Sequence, residues 1–160
     1  MSYFSNILAL DPGSEKTAYV HFSPVDEKIL EFGIVPNEGL VALVPTFERS
    51  ILVQEMIASY GMAVGATVFE TCVWIGKFEH AAQMKGMKVE RLFRREVKHI
   101  LCGNSHAKDP NVRQCLIDRF GLPGTKKAPG KLYGISKDMW SALAVAVTYA
   151  IKEQMGPLPF

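Results

Sequence analysis

The alternation of apolar and polar positions changes period several times along the chain. Asn6-Ile7-Leu8-Ala9-Leu10-Asp11 is a short apolar run closed by a carboxylate, the mark of a buried strand. Pro12-Gly13 forces a turn, and Thr17-Ala18-Tyr19-Val20-His21-Phe22 supplies a second strand from β-branched and aromatic residues. After the polar stretch from Ser23 to Lys28, Ile29 to Val35 makes a third. Links this short join antiparallel neighbours, so the first three strands form a meander. Beyond Pro36, the spacing of Leu40, Val44, Phe47, Ile51 and Met56 predicts a helix from Leu40 to Tyr60, disturbed by Pro45 and stopped by Gly61. The run Ala63-Val64-Gly65-Ala66-Thr67-Val68-Phe69-Glu70 then has almost no polar residue before its terminal Glu. It is predicted to be a central strand, parallel to the first and covered on both faces.

The second half alternates: a helix at about Gly76–Met84, a strand at Lys88–Phe93 and a short helix at Glu96–Leu101. A better helix opens at Asp109-Pro110, where Asp suits the cap and Pro the first helical position, and Gly121 ends it. Residues 121–135, rich in Gly, Pro and Lys, have no period and are predicted to be a flexible, exposed basic loop. Ser136 caps a last helix to about Gln154, with Leu143, Val147 and Ile151 turned to the core. The order predicts one α/β domain over residues 1–160: a mixed five-stranded sheet, three antiparallel strands followed by parallel ones, with helices on both faces.

Composition adds exclusions. With 160 residues, 48% of them hydrophobic and 21% charged, the chain suits one globular domain and not a disordered segment. No apolar run approaches the ~18 residues of a membrane span. The start, MSYFSNILALD, has no basic leader, and Cys72, Cys102 and Cys115 form neither an even set nor a CxxC pair. A cytoplasmic protein with reduced thiols is the expectation. His80, His99 and His106 lack metal-ligand spacing. Charge is more telling in its distribution than in its total of +2: residues 1–70 hold 3 Lys and Arg against 9 Asp and Glu, and residues 71–160 hold 15 against 7. An acidic half followed by a basic one raises the question of nucleic acid.

Three carboxylates can be placed together. Asp11 and Glu70 each end an apolar run, so adjacent parallel strands would bring them to one sheet edge, and Asp138 in the first turn of the last helix could pack over that edge. Each also has a plainer reading: Asp11 as a turn residue, Glu70 as a solvated strand end, Asp138 as favoured by the helix dipole. Converging carboxylates repel, and a hard divalent cation with oxygen ligands removes that cost.

These segments resemble a known family. ILALDPGSEKTAYVHF resembles the opening strand and turn of the RuvC-type Holliday junction resolvases of the ribonuclease H-like superfamily. TVFETC resembles their central strand with its catalytic Glu, and SKDMWSALAVAVTYA their final helix. RREVKHILCGNSHAKDPNVRQ resembles the intervening segment that brings two lysines to the DNA backbone. The flavour is that of the shorter phage-encoded members. The resemblance implies Asp11, Glu70 and Asp138 as ligands for Mg²⁺ or Mn²⁺, and Lys98 and Lys108 as contacts to the phosphate being cut. It also implies a homodimer acting on four-way DNA junctions, and an aromatic wedge near the branch point, for which Trp74 is the candidate. Many members carry a second acid one turn into the last helix; here that position is Ser141, a neutral and weaker ligand.

Arg91, Arg94, Arg95, Lys98, Lys108, Lys126, Lys127 and Lys131 supply charge for a DNA backbone. Three alternatives stand beside the nuclease: a branched-DNA-binding protein without activity, favoured by Ser141; a related enzyme acting on RNA or hybrids; and an interaction module whose charges only solvate it.

Overall fold

A computed structural model describes residues 5–155; the two ends of the predicted 1–160 unit lie outside them. The meander forms as the alternation predicts. Strand β1 (Asn6–Asp11) pairs antiparallel with β2 (Lys16–Ser23), and β2 with β3 (Lys28–Pro36). The β1–β2 turn needs its glycine, because a Cβ on Gly13 would lie 2.3 Å from the Lys16 carbonyl oxygen. A buried polar chain fastens this turn. Gly13 N–H donates to Thr17 Oγ1 (3.3 Å), Thr17 Oγ1 donates to Asn37 Oδ1 (2.6 Å), and Asn37 Nδ2 donates back to the Gly13 carbonyl (2.9 Å). Thr17 and Asn37 are fully buried, so losing any member would orphan a polar group away from water.

The middle of the chain departs from expectation. The predicted helix Leu40–Tyr60 is instead α1 (Asn37–Leu43), a 3-10 turn at Val44–Thr46, and strand β4 (Ser50–Met56). Pro45 has no N–H to continue a helix, and Arg49 at φ 57° reverses the chain without a glycine. The helix-like spacing of Leu40, Val44 and Phe47 does report burial, since all three pack on the sheet, but two short elements deliver them. The predicted strand Ala63–Glu70 is likewise absent: Gly65 is extended, and α2 runs from Ala66 to Met84, absorbing the helix expected at Gly76. The central parallel strand is therefore β4. It pairs with β1, Asn6 opposite Ser50 through Leu10 opposite Gln54, and with β5 (Val89–Phe93) on its other side. The sheet order is β3-β2-β1-β4-β5.

The remaining helices are α3 (Arg94–Cys102), α4 (Asp109–Phe120) and α5 (Met139–Met155). Ser136 does not cap α5 directly; Lys137 at φ 50° turns the chain, and the helix begins at Met139. Residues 121–135 are not a wholly exposed loop. Gly130 N–H donates to the Pro123 carbonyl (2.8 Å), Gly124 bridges Pro129, and Leu132 is fully buried, while Lys126, Lys127 and Lys131 stay exposed.

Helices cover both sheet faces. Ile7, Ala9, Val53 and Leu92 point to α5, α3 and α4; Leu8, Leu10 and Leu52 point to α1 and α2. The run Ala142–Val147 is buried all round, which is why it lacks an amphipathic stripe. Among the described residues no helix is long and apolar enough to cross a membrane.

Candidate active site

Side chains alternate between faces along a strand, so the register of two strands fixes which residues meet. Leu10 lies opposite Gln54, and the next residues are Asp11 and Glu55. Both share parity with Ile7, Ala9, Ile51 and Val53, which pack on the α5 face. Two carboxylates thus emerge side by side from the carboxyl ends of adjacent parallel strands. Asp138 precedes α5 on the same face, and with Glu55, Asp109 and Ser141 it lines a cavity of about 520 Å³. Four cations, Arg94, Lys98, Arg113 and Lys137, line it as well.

The electrostatics follow from this crowding. Burial pushes the Asp11 carboxyl up to about 7; Glu55 and Asp138 push the same way, and Arg94 opposes them. Glu55 is also raised, chiefly by burial, against the pull of Arg94. Arg94 Nη1 donates to Glu55 Oε1 at 3.2 Å, and its Nη2 donates to Asp109 Oδ1. An all-oxygen, anion-rich donor set is what a hard divalent cation requires, and its charge would reverse the cost now borne by Asp11. As the side chains stand, no three His, Cys, Asp or Glu among the described residues are gathered closely enough to hold an ion.

The sequence candidates divide. Asp11, Asp138, Lys98, Arg94 and Ser141 come together. Glu70 does not: it is an exposed residue of α2, on the helix layer over the opposite sheet face. The carboxylate at the end of the central strand is Glu55, and the assignment of Glu70 to that position is corrected. Trp74 also belongs to α2, where it stacks on Phe78 (centroids 6.1 Å) and packs against the α2-side core, with Lys77 over its ring. The aromatic that follows Glu55 is Tyr60, half-exposed, at φ 50°, with the Arg95 guanidinium 4.0 Å from its ring centre. Lys108 is exposed at the start of α4, its N–H donating to Asn111 Oδ1, and lies outside the cavity wall. Lys126, Lys127 and Lys131 are exposed on the 121–135 segment.

Glu55, Asp109, Lys137 and Tyr60 escaped the sequence reading. Glu55 had a signal, because Ile51-Leu52-Val53-Gln54-Glu55 repeats the apolar-run-then-carboxylate form of Leu8-Ala9-Leu10-Asp11. Asp109 followed by Pro110 signals only a helix start.

No protein-family model matches the chain, and no curated protein matches it. Solved structures do. RuvC of Thermus thermophilus superposes with a TM-score of 0.69 at 20% identity, covering 94% of this chain and 96% of that one. T. thermophilus RuvC in complex with Holliday junction substrate gives 0.72 at 19%, covering 95% and 96%. The yeast mitochondrial Holliday junction resolvase Ydc2 gives 0.59 at 12%, covering 92% and 78%. This likeness establishes the fold: the chain has the RuvC-type, ribonuclease H-like architecture that its opening motif resembles.

Proposed function

We propose that this chain is a divalent-metal-dependent endonuclease that resolves four-way DNA junctions by phosphodiester hydrolysis. The observation that carries the reading is the in-register pair Asp11 and Glu55, set on one face beside Asp138 at the rim of a cation-lined cavity. One of the similar folds is a RuvC in complex with Holliday junction substrate, which supports branched DNA as the ligand.

In this reading Asp11, Glu55 and Asp138 hold Mg²⁺ or Mn²⁺, with Ser141 or Asp109 as a further oxygen. Such a cation supplies water activation and charge stabilisation at the phosphorus. Lys98 neutralises charge developing on the phosphate, Arg95 and Tyr60 meet the strand beside the cut, and the exposed lysines 108, 126, 127 and 131 hold backbone farther out. Tyr60 replaces Trp74 as the aromatic that stacks at the branch point. A homodimer supplies two such sites, and the exposed Phe69 and Val73, one turn apart on α2, offer an apolar contact for it.

The deciding experiment is cleavage of a synthetic four-way junction with Mg²⁺, beside linear duplex and an RNA–DNA hybrid, with Asp11→Asn as control. Metal-dependent cutting of the junction alone, lost in the variant, supports the proposal; preferential cutting of the hybrid refutes it. Ser141 favours one second reading, a junction binder that cuts feebly or not at all. Tight junction binding with no metal-dependent product would establish that reading instead.

A further inference from the structure

We propose that Arg94 is the resident counter-ion of the candidate metal site, and that a divalent cation binds by displacing it. The inference rests on the functional reading above. Arg94 is the first residue of α3, and its guanidinium bridges two carboxylates from different elements. Nη1 reaches Glu55 at the end of β4 (3.2 Å), and Nη2 reaches Asp109 at the start of α4. Both acids line the cavity that Asp138 also faces. A cation among these oxygens competes with the guanidinium for Glu55 Oε1 and Asp109 Oδ1 and repels its positive charge, so each disfavours the other.

Several features make Arg94 a replaceable occupant and not a fixed strut. It gives each carboxylate one nitrogen, in contrast to the two-nitrogen fork that Arg91 closes on Glu79. Its side chain is 42% exposed, so a rotamer change carries it into water without disturbing the core. Its charge is permanent, because a guanidinium does not lose its proton in a protein, so displacement must move the group and cannot neutralise it. Its donors are also turned inward to carboxylates, which makes it unavailable to a DNA phosphate until it is released.

The test reads metal binding directly, without cleavage. Mn²⁺ is titrated by calorimetry into wild-type protein, Arg94→Gln, Arg94→Lys and Arg95→Gln at low ionic strength. Removing a partly exposed competitor should tighten Mn²⁺ binding about fivefold in Arg94→Gln. Arg94→Lys should fall between that variant and wild type, because an ammonium cannot bridge both acids in the same way. Arg95→Gln removes the same charge one residue away, where it lies against Tyr60, and should leave the affinity unchanged. A second readout needs no variant: the Arg94 Nε–H signal in a nitrogen-resolved spectrum of wild-type protein should shift when Mg²⁺ is added. Unchanged or weaker Mn²⁺ binding in Arg94→Gln overturns the displacement proposal while leaving the metal reading intact, as does an unmoved Arg94 signal at saturating Mg²⁺. Absence of Mn²⁺ binding in folded wild type and folded Arg94→Gln alike overturns the metal reading and this proposal with it.

Discussion

Two glutamate–arginine pairs lie on opposite faces of the same sheet, and they do opposite things. Glu79 of α2 receives Arg91 Nε at 2.6 Å and Nη2 at 2.7 Å, so both carboxylate oxygens are taken by one fork. Glu55 of β4 shares its arginine with Asp109, beside Asp11 and Asp138. The two glutamate side chains are almost equally sheltered, 10% and 13% exposed, so burial does not separate them. What separates them is balance. Glu79 is a closed pair that joins α2 to β5; Glu55 belongs to a set with more negative charge than its immediate partner can answer. A satisfied buried carboxylate reads as structure, and an unsatisfied one as a place for a cation.

Neutralising each acid in turn should separate the two pairs most widely. Glu55→Gln should lower junction cleavage about a thousandfold, the loss that corresponds to roughly 4 kcal/mol of transition-state stabilisation. Glu70→Gln, with its side chain on exposed α2, should stay within about twofold in the same assay. Equal losses would return Glu70 to the site. Removing packing from the α2 face should cost stability in place of chemistry: Phe78 is fully buried there, and Phe78→Ala should lower unfolding free energy by about 3–5 kcal/mol in urea.

Asp11 tests the balance argument through pH. A carboxyl raised to about 7 in the fold is more protonated there than in the unfolded chain, so the contribution of Asp11 to metal-free stability is fully present below about pH 4 and is lost as pH climbs through 7. Asp11→Asn removes the charge, and at pH 8 without metal it should be more stable than wild type by about 1–2 kcal/mol. Added Mg²⁺ should narrow that gap; a variant less stable than wild type in metal-free buffer would contradict the proposed crowding. For the closed pair the sign reverses. Glu79→Gln should cost about 1 kcal/mol, because Arg91 is half-exposed and can turn to water, and it should leave cleavage unaltered. The aromatics give the smallest contrast: Tyr60→Ala should weaken junction binding about threefold to tenfold, as measured by gel shift, and Trp74→Ala should change melting and not binding.

Much of this was legible in the chain. The meander, β5, α4 and α5 follow from alternation and turn residues, signals that act over a few residues, although α4 is capped by Lys108 and not by Asp109; the same signals place Asp11 at a strand end and Asp138 ahead of the last helix. The stretch from 40 to 70 was not. Ile51-Leu52-Val53 is only three apolar residues long, and its neighbours happen to continue a four-residue spacing set by two other elements. Ala63–Phe69 shows the converse failure. A continuous apolar run is equally compatible with a covered strand and with a helix, and here Val64 ahead of α2 and Phe69 and Val73 on it are exposed residues that no core required. The misplacement of Glu70 follows directly, since a strand over Ala63–Glu70 would end at that carboxylate.

Because Asp11 and Glu55 meet through a ladder that repeats every two residues, the site is sensitive to chain length in a way it is not to chain identity. Exchanging one aliphatic for another inside β1 or β4 leaves the pair in phase. Deleting a single residue between Ile51 and Gln54 turns Glu55 to the α2 side and separates the carboxylates, although every chemical group is still present. A two-residue deletion restores the facing but shortens the ladder. Lengthening the segment 57–65, which lies outside the ladder, should leave the pair in phase, whereas an odd change in the count of residues within β1 or β4 should not.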